Sequence, residues 1–337
     1  MSNDLISPRT QECGLRPRDL ESVPAPLRSI NFYFAAYLCF VALIFVRTLS
    51  NLVAFAIHYE YGSHIPLIPF MSAYLIFVQR KTIFSSVQHS FRTGGVLLFL
   101  GVASFWTSYA HLVSLSENDV LAWATASIVL ISIAGFVICY GSGTSRRALF
   151  PLLFLFLMVP IPTFVVENVI FLLREGSTAI TMGIFQIFNV PAVRNGFAIS
   201  VPGVTIEIAE ECSGIRSTLA LLITCLLASY LFLGSNIRRI ILLFLVVPMA
   251  VVKNGIRIAT LTLLSIYVDP GFLYGRLHHD GGIVFFLLAL LLLAPILWLL
   301  RASERSRHPT PFPSVDRGKL DRKVPGVPAG MANRLRS

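Results

Sequence analysis

The sequence predicts an all-α polytopic membrane protein, a bundle of about eight transmembrane helices with a short β-hairpin and an interfacial helix on its outer side. Three observations lead there. Hydrophobic residues make up 55% of the 337-residue chain and charged residues only 13%, and the mean hydropathy of +0.75 is far above that of a soluble globular domain. Apolar runs of about 20 residues recur, each long enough to cross a ~30 Å hydrocarbon core as a helix. Lipid offers the backbone no hydrogen-bond partner, so helices that satisfy their own amides are the expected spanning form, and nothing in the pattern suggests a barrel.

In chain order, the first span is expected at 32–57, and the polar link HYEYGSH leads to a second at 65–78. QRKTIFSSVQHSFRT carries Arg80, Lys81 and Arg92 into a third span at 94–112, and the acidic link SLSENDV precedes a fourth at 121–140. The fifth begins near 148, after Arg146 and Arg147, and stops at the prolines of VPIP, 159–162. From 164 to 190 the run is mostly apolar but interrupted by Glu167, Arg174, Glu175 and Gln186. That pattern suits a helix lying at an interface or packed against the bundle better than a lipid-exposed span. GFAIS and VTIEIAE then alternate around a Pro-Gly turn, the signature of a short β-hairpin. The sixth span starts at 212 and ends before Gly234; the seventh, 240–268, contains Pro248 and the polar patch KNGIR. DPGFLYGRLHHDGG precedes the last span, 283–300.

With eight spans, Arg28, the 80–92 link, Arg146–Arg147, Arg238–Arg239 and the C-terminal tail all fall on one side. The opposite links hold Glu60, Glu117, Asp119, Asp269 and Asp280, with Arg276 the basic exception outside 163–211. The positive-inside rule therefore expects both termini in the cytoplasm. Three regions result: an arm at 1–29, a transmembrane domain at 30–300, and a tail at 301–337 with nine Lys/Arg against three Asp/Glu. The Pro-, Gly- and Arg-rich tail is expected to be disordered. Its charge, like the +10 of the whole chain, fits a juxtamembrane segment facing anionic lipid head groups and does not call for nucleic acid. The arm carries charges of both signs and no apolar core with a cleavage site, so no cleavable signal peptide is read there, which suits a prokaryotic inner membrane.

The chemistry concentrates in three stretches. In AEECSGIRST, 209–218, Cys212 stands between Glu210–Glu211 and Arg216 at the head of the sixth span. Of the five cysteines, Cys13, Cys39, Cys139 and Cys225 lie in apolar runs or the arm; only Cys212 has polar neighbours on both sides. A thiol at a helix N-terminus feels the positive end of the dipole, which favours thiolate. In KNGIR, Arg257 lies 17 residues beyond Ile240, about 25 Å along the seventh span and level with the outer end of the sixth. Lys253 shares its face one turn earlier, and Asn254 is placed to hydrogen-bond the guanidinium. His278 and His279 lie in the outer link before the last span. Cys, His and Arg at one depth suit acyl transfer: a thiol nucleophile, a base that later protonates the leaving amine, and a fixed cation for the oxyanion or the substrate carbonyl. Each residue also has a plainer reading. Cys212 can be inert packing, Arg257 can pair with Glu207 or snorkel, and the histidines can be a solvated link. No helical i,i+4 ligand pair suggests a metal, and no cofactor is expected.

These stretches resemble the exosortase/archaeosortase family of membrane proteins. IAEECSGIRSTLALL looks like its cysteine motif, KNGIRIATLTLL like its N-x-x-R motif, and LHHDGGIVFF like its H-x-x-x-G motif before a final span. The likeness runs from about residue 60 to about residue 300, taking in SHIPLIPF and LFLMVPIP. It implies a membrane cysteine peptidase and transpeptidase, with Cys212, Arg257 and His278 as the catalytic residues. His279, Arg216, Glu211, Asn254 and Lys253 are alternates or support. It also implies C-terminal sorting tails of exported proteins as substrates, often of the Pro-Glu-Pro type, with an association with extracellular polysaccharide. His278, with Gly282 at +4, fits the motif's spacing, although the doubled histidine leaves His279 open as the base. The doubled acid before Cys212 departs from the family's usual single residue. The rival class is a transporter or scaffold for polysaccharide export. Transporters tend to show internal repeats and midplane polar sites; the sequence shows no repeat, and its polar trio lies near one face.

Overall fold

Helices form wherever the apolar runs are long, and the breaks between them fall mostly at prolines, glycines and charged links. The computed structural model describes residues 25–110, 115–210, 213–269, 271 and 276–307, with the backbone alone described at 25–27, 109–110, 276–283 and 305–307. The arm to residue 24, the tail from 308, Glu211 and Cys212 lie outside the described residues.

The first expected span is two helices, α1 (Ala25–Ile44) and α2 (Val46–His58), bent by 78° at Phe45. No proline or glycine marks the bend; the Phe45 ring packs edge-on against Phe105, with centroids 4.7 Å apart. A 3-10 turn at Glu60–Gly62 leads into α3 (Leu67–Val78), and a short α4 (Arg80–Ile83) follows. Next come α5 (Phe91–Ala110) and α6 (Glu117–Tyr140), packed along each other. α6 is the most buried candidate span, with 61% of its apolar window covered, so it forms the centre of the N-terminal half.

The fifth expected span is too short to cross alone. After α7 (Ser142–Arg147), α8 (Leu149–Phe154) and a 3-10 turn (Leu155–Met158) extend for ten residues, about 15 Å, or half the hydrocarbon core. Pro160 forces Val159 out of the helical region (φ −72°, ψ 124°), and the chain turns by 85° into α9 (Thr163–Ile187). The acidic link 115–120 secures this break. Asp119 Oδ1 accepts the Thr163 N–H at 2.7 Å and Asn118 Nδ2 donates to the Ile161 carbonyl at 2.9 Å.

The C-terminal half holds α10 (Ile215–Phe232), α11 (Asn236–Phe244), α12 (Val246–Tyr267) and α13 (Arg276–Arg307). α11 and α12 form one 32-residue candidate span, Asn236–Tyr267. The step at Leu245 is the work of Pro248, which has no N–H to give the Phe244 carbonyl. Leu221, Cys225 and Leu233 of the α10 stretch pack with Leu242, Val246, Ala289 and Leu293 in a common core. α9 packs along α12 through small residues: a Cβ on Gly255 would lie 2.5 Å from Ile180 Cγ2, and one on Gly176 2.7 Å from Val251 Cγ1. Thr181 Oγ1 bridges the pair by donating to the Gly255 carbonyl at 3.2 Å.

The expected hairpin is present: β2 (Ala198–Val201) pairs antiparallel with β3 (Val204–Glu207) around Pro202–Gly203, with Gly203 at φ +88°. A third strand, β1 (Val193–Asn195), extends the sheet in the order β1-β2-β3. Ile199, Val201 and Ile208 bury against Phe185 of α9 and Ile258 and Ala259 of α12, so the sheet caps that helix pair. Among the described residues, five helices are long and apolar enough to cross a membrane, or seven if each bent pair counts as one span, against the eight expected. The chain is a multi-pass, all-α membrane protein with one small sheet.

Candidate functional site

The site is built where β3 hands the chain to α10. Ile208 is buried under the sheet, and its carbonyl accepts Arg174 Nε of α9 at 2.8 Å. The same guanidinium lies 4.0 Å over the Phe197 ring and 3.8 Å from Glu210 Oε1. Beside it, Glu175 pairs with Arg194 of β1 at 2.5 Å. The charges that merely interrupt the apolar pattern of α9 in sequence are thus the ones that hold the sheet and the strand leading to the cysteine motif. Their adjacency in an apolar helix, just ahead of a strand-rich stretch, was the available signal.

Beyond Glu210, the Ser213 N–H donates to the Glu210 carbonyl at 3.0 Å. Gly214 is left-handed (φ +75°, ψ 19°), and a Cβ there would come within 2.9 Å of Asn254 Oδ1. Two constraints, backbone sign and space, therefore select glycine at the head of α10. The Gly214 carbonyl accepts three donors at 2.9 Å each: the Thr218 N–H and the hydroxyls of Ser217 and Thr218.

From α12, Asn254, only 1% exposed, donates to the Ser213 carbonyl at 3.2 Å and to Ser177 Oγ of α9 at 3.0 Å. One amide group thus ties α9, α12 and the cysteine motif together. Lys253, 3% exposed, donates to Ser217 Oγ on the first turn of α10. Arg257 follows one turn further along α12 and is half-buried. The Ser213 hydroxyl is fully buried with no hydrogen-bond partner among the described residues. Such a group costs about 1–3 kcal/mol when it stays unpartnered; the Thr125 hydroxyl of α6 is another among the described residues.

The N-x-x-R and cysteine motifs, 41 residues apart between Ser213 and Asn254, are therefore in direct contact. Cys212 and Glu211 fall in the undescribed interval between Glu210 and Ser213. His278 and His279 lie on the first turn of α13, and their side chains are outside the described residues. α13 ends where Glu304 receives the Gly234 and Ser235 N–H groups, at the far end of α10, so its first turn lies toward the sheet end. Arg216 is exposed and forms no ion pair with a described residue. Glu207 is exposed as well and does not pair with Arg257: the outward register of β3 turns it from α12. Among the described residues no group of three His, Cys, Asp or Glu side chains could hold a metal ion. An apolar groove of about 500 Å³ runs between Ile184 of α9, Phe188 just past its end, and Ile256, Thr260 and Leu264 of α12.

The model of the transmembrane exosortase family matches residues 56–295, which is 240 of the 337 residues. The chain belongs to the transmembrane exosortase family. The match begins inside α2 and ends inside α13, so it takes in the sheet and all three motif-bearing stretches of this exosortase. No curated protein and no solved structure matches the chain.

Proposed function

We propose that this protein is a membrane-embedded cysteine peptidase and transpeptidase that cleaves the C-terminal sorting signals of exported proteins through a thioester on Cys212. The observation that carries the reading is the hydrogen bond from Asn254 to the Ser213 carbonyl. It holds the Arg257 stretch of α12 against the residue that follows Cys212. In this reading Cys212 attacks the scissile carbonyl and the leaving amine takes its proton from His278, or from its neighbour His279. Arg257, always charged, stabilises the oxyanion or holds an acidic residue of the signal, of Pro-Glu-Pro type. Water or an acceptor amine then resolves the thioester.

The charge pattern of the links supports an orientation with both termini in the cytoplasm and the sheet end at the outer face. A sorting tail that crosses the membrane once presents its cleavable motif at that level. The test is co-expression with an exported protein bearing such a tail, with mass spectrometry of its C-terminus. Cys212→Ala and Cys212→Ser are expected to insert normally and to abolish processing; intact processing in either variant defeats the mechanism. Loss in His278→Ala but not in His279→Ala identifies the base.

A further inference from the structure

Ahead of the cysteine motif the sheet ends in an open edge, and the pairing phase fixes which backbone groups face it. Pro202 and Gly203 are the two loop residues of the β2–β3 hairpin, so Val201 and Val204 close it as a bonded pair. The Ile208 N–H donates to the Phe197 carbonyl at 3.0 Å, in the same phase. Between these, Ile199 and Ile206 form the next bonded pair, while Thr205 and Glu207 stand opposite Ser200 and Ala198 without one. The N–H and C=O groups of Thr205 and Glu207 therefore point away from β2, about 7 Å apart along the strand. β3 is the outermost strand on this side, and among the described residues no backbone hydrogen bond reaches those four groups. Both residues are exposed.

The two edges of the sheet are not alike. Sheet edges are commonly blunted by proline, by charge or by a bulge. β1 is three residues long and follows Pro191, and its middle residue, Arg194, is drawn to Glu175 of α9 and to the Gly196 carbonyl. β3 pairs with β2 in unbroken register and holds no proline, and three of its four residues, Val204, Thr205 and Ile206, are β-branched. Among the described elements only β2 packs closely along it. The strand is held firmly from behind: Ile208, the next residue, is buried against the α9–α12 pair and its carbonyl accepts Arg174 Nε. The chain then runs straight into the cysteine motif. Cys212 is five residues beyond Glu207, no more than about 18 Å even in a fully extended chain.

We propose that β3 is the docking edge for the substrate: the peptide segment around the scissile bond adds to it as a fourth strand, exchanging backbone hydrogen bonds with Thr205 and Glu207. This rests on the chain being the sorting-signal peptidase proposed above. An extended peptide is the chemistry that matches outward N–H and C=O groups repeating every second residue. In either strand direction, only every second residue of an added strand turns its N–H and C=O to its partner. The prolines of a Pro-Glu-Pro signal stand at that interval. Both can therefore face away from β3, where a missing N–H breaks no ladder bond, while the glutamate between them makes its bonds to the edge. Set beside Thr205, that glutamate also keeps clear of the Glu207 carboxylate, since like charges directly opposite destabilise a strand pair.

The test is proline at the two outward positions of the full-length protein. Thr205→Pro and Glu207→Pro each remove an N–H that makes no bond within the sheet, so the melting temperature in detergent should hold. Processing of a co-expressed tail is expected to fall about tenfold or more in each. Thr205→Ala, which keeps the N–H, is expected to lose less than Thr205→Pro. Undiminished processing in either proline variant overturns the proposal, and so does an equal loss in Thr205→Ala and Thr205→Pro. Capture decides the question if the proline variants fail to fold. With photoreactive p-benzoylphenylalanine at position 205 in the Cys212→Ala background, irradiation is expected to join the tail within a few residues of the scissile bond, mapped by peptide mass spectrometry. The same probe at position 193 of β1 is expected to capture none. No capture from 205, or equal capture from 205 and 193, overturns the docking edge. Tail processing by Cys212→Ala defeats the nucleophile reading itself. Loss of processing in that variant without capture from 205 defeats only the edge.

Discussion

At the far end of α10, Glu304 of α13 accepts the Gly234 and Ser235 N–H groups at 3.0 and 2.5 Å and lies 3.1 Å from Arg238. At the near end, among the described residues, Lys253 of α12 donates to a hydroxyl, and Asn254 donates to a carbonyl and to a second hydroxyl. The far end compensates charge with charge. Arg238 also reaches the Ser303 carbonyl at 3.0 Å, and Arg239 donates twice to the Leu233 carbonyl, at 2.9 and 2.7 Å. It is a latch, and each charge in it is answered locally. At the near end the hydrogen bonds of Lys253 and Asn254 go to neutral groups, so the fold that pairs charges at one end of α10 joins its helices at the other through hydroxyls and a carbonyl.

The contrast can be broken first at the α9–α12 contact. Gly255→Leu puts side-chain atoms where Ile180 and the Ser177 carbonyl already sit, at 2.5 and 3.2 Å from the Cβ alone. Overpacking of this kind costs about 1–3 kcal/mol or more, and because it separates the helices that frame the site, processing should vanish along with a clear drop in melting temperature in detergent. Gly214→Ala comes next. A left-handed non-glycine residue and a close approach to Asn254 together cost about 1–3 kcal/mol, and the expected outcome is a greater loss of processing than of thermal stability. Asn254→Leu removes two hydrogen bonds and leaves the buried Ser213 carbonyl without this donor, for about 1–3 kcal/mol. Its distinguishing readout is Cys212 alkylation, whose pH midpoint should move toward that of a free thiol as the motif comes free of α12. Smallest is Glu304→Gln, whose single amide oxygen keeps an acceptor for one of the two N–H groups, leaves the other to solvent beside exposed Gly234, and loses the charge facing Arg238. Less than about 1 kcal/mol is expected, with processing unchanged. Processing that collapses in Glu304→Gln and survives in Asn254→Leu would reverse the assignment of the two ends.

Much of this could be read from the chain because membrane helices declare themselves. An apolar run and its flanking charges report a span wherever no neighbour is needed to explain it, as for α6 and α10. The Pro-Gly turn of the hairpin was legible for the same local reason. The 78° bend at Phe45 was not legible, because no proline or glycine marks it; what the structure adds there is a tertiary contact, the Phe45 ring against Phe105 of α5. β1 was missed because three residues with one inward side chain show no alternation. The fifth run was read without the 85° turn that joins it to α9, with which it forms a bent pair of helices.

The sequence by itself determined that this is a multi-pass helical membrane protein of the transmembrane exosortase family. Hydropathy and motif residues are local properties, and lipid leaves the backbone few choices. Only the tertiary structure decided that Asn254 reaches across 41 residues to the cysteine motif, and that Lys253 is buried against Ser217 of α10. It also decided that the charges of α9 brace the sheet. Those facts depend on which helix faces meet, and that is set by close approach at Gly176, Gly214 and Gly255, which no single stretch of chain encodes.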